Sequence, residues 1–143
     1  MNPTIDAAIL YDTVRRQALF SALWSRLIGR NRYLCDLKEV IRKQRVSSKY
    51  FVGYQTVPVS HICGSEGRSR EFDAAFRPLQ SHGNERWREL ARLWLSGVGT
   101  PPVELIRVGD SYFVRDGHRR VSVAAALGQT EIDATVTVWE TTE

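Results

Sequence analysis

The 143-residue sequence predicts an α+β domain, a small mixed sheet flanked by helices, with an N-terminal helical extension. Three stretches carry that prediction. Residues 103–108 and 111–115 read as a hairpin closed by Gly109-Asp110, and 132–139 as a final strand with Ile132, Ala134, Val136 and Val138 on one face. Between them, a helix opening near Gly117 carries Val121, Val123, Ala124, Ala125 and Leu127 to a Gly128 cap. Far upstream, Pro3 to Ile28 reads as one long helix with Leu10, Val14, Ala18, Leu23 and Leu27 at helical spacing, ended by Gly29.

The remaining elements follow from local chemistry. Leu34, Leu37 and Ile41 form the apolar stripe of a short helix from about Leu34 to Lys43, and Ser47-Ser48 marks a break. Thr56-Val57-Pro58-Val59 reads as a short edge strand, because proline cannot donate to a central ladder. Residues 64–70 form a loop, and Glu71 to Leu79 a short helix interrupted at Pro78. Asn84 caps the next helix, whose stripe is Trp87, Leu90, Ala91, Trp94 and Leu95. Gly97, Gly99 and Pro101-Pro102 end it. The chain divides into a basic helical arm at 1–50 and a domain at 56–143.

Composition narrows the class. The chain is 43% hydrophobic and 25% charged, ordinary for a globular protein, and no apolar run approaches the ~18 residues of a membrane span. Asp6 and Asp12 stand where an export signal would be basic then apolar. Two cysteines, Cys35 and Cys63, form no metal or redox spacing, so a reduced cytoplasmic protein without a membrane partner is expected. Charge is uneven: between Arg15 and Lys49 ten basic residues oppose only Asp36 and Glu39, while the whole chain is +4. That asymmetry points to an anionic partner, nucleic acid first, with Arg30, Arg32, Arg42, Lys43 and Arg45 as contacts. The alternative is a solvated basic face, or one neutralised by the acidic remainder of the molecule. The apolar stripe of the first helix needs cover from its own domain or from a second copy, a possible homodimer through the N-terminal helices.

The sharpest chemistry lies in Asp116-Gly117-His118-Arg119-Arg120, where a strand meets a helix. A helix N-terminus presents unpaired N–H groups and partial positive charge, so arginines in its first turn oppose the dipole unless an anion joins them. Gly117 lets a ligand approach the backbone. Asp116 could cap the helix, hold a divalent ion on a nucleotide, or act as a base. The bland alternative gives Asp116 the cap and leaves His118 and Arg120 solvated.

At these residues the sequence resembles the ParB/sulfiredoxin superfamily. The stretch from Phe113 to Gly128, followed by Ile132 to Val136, is similar to the family's second box, in which a glycine and arginines open a helix ending at Leu-Gly. Val57 to Ile62 and the loop from Gly64 to Arg70 resemble its first strand and first arginine box. The resemblance covers about residues 56 to 140. It implies a nucleotide (ATP, ADP or CTP) with magnesium, held through Gly117, His118, Arg119, Arg120, Arg68 and Arg70. Gly117 stands where sulfiredoxins carry the reactive cysteine, so sulfinic acid reduction is not expected. His118 replaces the glutamate of the CTP-binding partition proteins, and no helix-turn-helix follows the last strand, so site-specific DNA reading of that kind is not expected either. The family's serine kinases are similar in having an aspartate before Gly-His, which nominates Asp116, and with it Glu66, as catalytic carboxylates.

Other constellations add little. Residues 64–70 are not a Walker A loop, His61-Ile62-Cys63 lacks the geometry and further ligands of a metal site, and Trp87 and Trp94 read as core. The expectation is therefore a ParB-like phosphate- or nucleotide-binding module that associates with nucleic acid through a basic arm. The competing expectation is a nucleotide-dependent phosphotransferase, or a nuclease or hydrolase, of the same superfamily.

Overall fold

A computed structural model describes residues 2–28, 32–80 and 84–142. Helix α1 (Pro3–Ile28) has the predicted span, and the Asn2 side chain caps it by accepting from the Thr4 N–H at 3.0 Å. Its buried face is Ala7, Tyr11, Val14 and Ala18, which packs with Trp87 and Ala91 of α3 (Asn84–Leu95) and Val123 of α4 (His118–Ala126). The predicted stripe fails beyond Ala18: Leu23 and Leu27 are 61% and 80% exposed. Helix α3 has 12 residues against 26 in α1, roughly 18 Å against 39 Å at 1.5 Å per residue, so the end of α1 overhangs its support. Gly29 and Arg30 lie outside the described residues.

Six strands form one mixed sheet in the order β1-β3-β5-β4-β6-β2. They are β1 (Cys35–Asp36), β2 (Arg45–Pro58), β3 (Ile62–Ser65), β4 (Val103–Val108), β5 (Ser111–Asp116) and β6 (Glu131–Thr142). The β4–β5 hairpin is antiparallel, and after α4 the chain returns as β6 on the far side of β4 and parallel to it. The alternation of Ile132, Ala134, Val136 and Val138 places all four against the α4 side, with Val103, Leu105, Val114, Val121 and Ala124. The opposite face holds Ile106, Val108, Phe113 and Trp139 beneath Leu37 of α2 (Leu37–Arg42).

Several local expectations change. Ser47-Ser48 is not a break: β2 runs through it and pairs antiparallel with β6 from Arg45 to Pro58, with register shifts at 46–48 and 51–53. The cross-strand ladder outweighs the serines' turn preference. Pro58 does sit on an edge strand, and the division drawn between residues 50 and 56 falls inside it. The second helix starts at Leu37 because Asp36 caps it, accepting from the Lys38 N–H at 3.0 Å, while Cys35 and Asp36 pair with β3. Gly64 belongs to that pairing: a Cβ there would lie 2.3 Å from the Cys35 carbonyl and 2.6 Å from the Phe113 ring.

Residues 71–79 contain no α-helix. Buried Asp73 accepts the Ala75 and Arg77 N–H groups at 2.9 Å each and turns the chain, with Phe76 at a φ of 61°. This fold lets Phe72 and Phe76 both enter the main core. A buried polar bridge then ties the layers together: the Trp87 indole donates to Ser122 Oγ at 2.8 Å, and Ser122 Oγ donates to the Phe76 carbonyl. Ser122→Ala should therefore strand a buried donor and a buried acceptor and cost about 2–4 kcal/mol in urea unfolding, far above the ~0.5 kcal/mol of a surface change.

Candidate functional site

The candidate site begins where β5 hands over to α4. Gly117 is the N-cap of α4 with φ 101° and ψ 28°, left-handed backbone that favours glycine. A Cβ there would also lie 2.6 Å from Val103 Cγ1. No side chain caps the helix. The first N–H of this turn to bond within the helix is that of Val121, to Gly117 O at 3.0 Å, so those of residues 118–120 precede the ladder.

Asp116 is instead held by Arg120, whose Nη2 donates to its Oδ2 at 3.1 Å. The same guanidinium donates through Nη1 to the Pro101 and Pro102 carbonyls at 2.8 and 2.9 Å. Arg120 thus clamps the linker that enters β4, and its side chain is only 16% exposed.

His118 is buried, not solvated. Its Nε2 shares a 2.6 Å hydrogen bond with Ser65 Oγ, its ring stacks on Phe72 with centroids 6.1 Å apart, and its Nδ1 has no partner among the described residues. Ser65 Oγ also accepts the Arg68 N–H at 2.9 Å, so one serine joins the end of β3, the arginine loop and the start of α4. Burial, then the nearby Arg68 cation, push the His118 pKa down from 6.5 to about 4.

Arg119 differs from both neighbours. It makes no hydrogen bond or ion pair with a described residue, and its pKa is lowered by partial burial first, then by the Arg68 and Arg86 cations. It lines an open cleft of about 500 Å³ whose charged lining is Arg68, Arg86, Asp116 and Arg120 with Glu85 and Glu89 of α3, beside Gly117 and His118. Arg68 is engaged two-pronged by Glu71, at 2.8 and 2.7 Å, and this pair raises the arginine and lowers the glutamate. Arg68 and Arg119 also border a smaller recess beside Tyr11 and Trp87.

The structure therefore gathers Arg68, Asp116, Gly117, His118, Arg119 and Arg120 at one cleft. Glu66 and Arg70 lie elsewhere. Glu66 pairs with Arg115 at 3.0 Å and lines a separate groove with Lys38 and Trp139. Arg70 lies over the Tyr33 ring at 5.1 Å, as Arg32 does at 5.0 Å from the same ring. Arg42 pairs with Glu39, while Lys43 and Arg45 are exposed where α2 passes into β2. Helix α2 covers the sheet face opposite α4, so these cations stand away from the cleft. Arg86 is the residue that sequence reasoning missed. It is exposed on the polar side of α3, and the packing of α3 on α4 places it at the cleft.

No family model matches the chain, and no curated protein matches it significantly. Among solved structures the fold is similar to sulfiredoxin from Arabidopsis thaliana, at 17% identity and a TM-score of 0.47, over 61% of this chain and 86% of that one. No helix among the described residues is long and apolar enough to cross a membrane.

A histidine whose folded pKa is depressed binds its proton more readily in the unfolded chain. Its contribution to stability is complete above the unfolded value of 6.5 and is lost as pH falls toward about 4. A full shift of this size corresponds to about 3 kcal/mol. Denaturant unfolding at pH 7 and pH 5 should show the wild type losing stability across that interval, and His118→Gln should flatten the loss.

Proposed function

We propose that this chain is a phosphate-binding module of the ParB/sulfiredoxin kind whose cleft at Asp116–Arg120 takes a nucleotide. The observation that carries this reading is Arg119, a partly buried guanidinium without a carboxylate partner among the described residues, facing two further arginines at an uncapped helix start. Arg68 is already paired with Glu71, and Glu85 and Glu89 line the same cleft, so Arg119 is the partly buried cation with no bonded carboxylate among the described residues, beside a helix start of the same sign that favours an anion. A volume of about 500 Å³ suits a nucleotide-sized ligand. The resemblance of residues 113–128 to the superfamily's second box supports the same assignment.

In this reading Arg119 and the N–H groups of the first turn hold the phosphate. Arg68 contributes charge while kept in place by Glu71 and Ser65, and Arg120 positions the turn. Magnesium fits the donor set through Asp116, whose Oδ1 is not used by Arg120; the metal would neutralise charge on ATP, ADP or CTP. Lys43 and Arg45, with Arg42 beside them, supply a separate cationic edge for nucleic acid. A phosphotransferase or hydrolase is the second reading, favoured by Asp116 lining the same cleft as Arg119. It requires turnover that Asp116→Asn abolishes while binding survives.

The thermal shift with ATP, ADP, CTP and GTP, each with and without magnesium, tests the first reading. A ligand at 100 times its Kd should add about 2.7 kcal/mol, several degrees in Tm, and Arg119→Ala should remove that gain without lowering the Tm of the free protein. No shift with any nucleotide would count against the assignment. For nucleic acid, affinity should fall steeply with salt, and replacing Arg42, Lys43 and Arg45 together by alanine should reduce the log–log slope by about 2–3.

A further inference from the structure

The overhanging half of α1 carries six large apolar side chains in ten residues: Leu19, Phe20, Leu23, Trp24, Leu27 and Ile28, each between 46% and 80% exposed. Phe20, Leu23 and Leu27 recur at the spacing of three and four that makes a packing seam, and the others flank it. A helical end of this length is marginal in water without tertiary support. The surface as a whole agrees: 8637 Å² is exposed, against about 7,500 Å² for a compact monomer of this mass. The surplus exceeds the roughly 800 Å² that each partner contributes to a standard interface.

We propose that the occupant of this face is a second copy of the same chain, with the two α1 helices crossing antiparallel between residues 23 and 24. The apolar set is its own complement under that two-fold. Leu19 meets the partner's Ile28, Phe20 meets the partner's Leu27, and Leu23 meets the partner's Trp24, with no apolar residue left over. Charge is compatible as well. The overhang from Ala18 to Ile28 holds no carboxylate that would select a basic partner. Arg16, at one end of the patch, lies far from its symmetry mate in an antiparallel pair, whereas a parallel pair would place the two side by side. Phe20 and Trp24, with Arg16 and Arg77, also wall an open groove that gives the partner's Leu27 a seat. The exposed run Tyr50, Phe51, Val52 and Tyr54 on β2 is a weaker candidate, because register shifts interrupt that edge at 46–48 and 51–53.

Sedimentation velocity on the full chain at micromolar concentrations should give twice 16.3 kDa. Leu23→Glu should give the monomer with an unchanged cooperative unfolding transition of the domain, since Leu23 touches little of its own chain. In a background with Cys35 and Cys63 replaced by serine, Leu23→Cys should form an interchain disulfide readily. Leu27→Cys should not, because its symmetry mate lies about seven residues, roughly 10 Å, along the axis. A monomeric wild type, a dimer that survives Leu23→Glu, or equal cross-linking at both positions would each overturn the proposal.

Discussion

The close approach of Gly117 to Val103 is the constraint from which the rest of the site follows. With no Cβ at this point, β5 turns directly into α4, and the helix start lies against the first residue of β4. Arg120 then reaches both the Pro101-Pro102 carbonyls and Asp116, locking the linker, the strand end and the helix into one joint. The usual Asp cap is diverted in the process. An aspartate that would have satisfied the helix N–H groups satisfies a guanidinium instead, and the helix start is left able to receive an anion.

Ser65 and His118 perform the corresponding task from the other side. A buried imidazole bonded at Nε2 to a serine hydroxyl costs far less neutral than charged, and burial with the adjacent Arg68 cation keeps it neutral. The pair joins the arginine loop to α4, so the position of Arg68 relative to Arg119 is set by contacts deep in the core. Glu71 bonds Arg68, no described carboxylate bonds Arg119, and the two arginines therefore differ in how firmly they are held although both line the cleft.

The cleft, the exposed cations and the apolar overhang occupy different regions of the chain. The cleft is formed by α3, α4 and the loop after β3, the exposed cations Lys43 and Arg45 lie where α2 passes into β2, and the apolar overhang belongs to α1. Helix α1 is attached to the domain through Tyr11, Val14 and the Arg15 contact to the Pro78 carbonyl. Beyond Ala18 its large apolar side chains are exposed, which separates the packed end of the helix from its exposed end.

By itself the sequence determined the elements whose signals are local. Asn2 and Pro3 open α1, Gly109 closes the hairpin, Gly97 follows the end of α3, and the alternation from Ile132 to Val138 sets the face of β6. It also marked the Asp116–Arg120 turn, because arginines against a helix dipole are visible without coordinates. Only the tertiary structure decided which of those charges are spoken for. Arg119 and Arg120 are neighbours in sequence and both line the cleft, but about 100° of helix rotation leaves one without a bonded partner among the described residues and ties the other to two proline carbonyls. The same holds for Arg68 against Arg70, for Glu66 drawn off by Arg115, and for Arg86 brought in from α3. Whether a charged side chain is free depends on partners distant in the chain, and residue spacing carries no record of them.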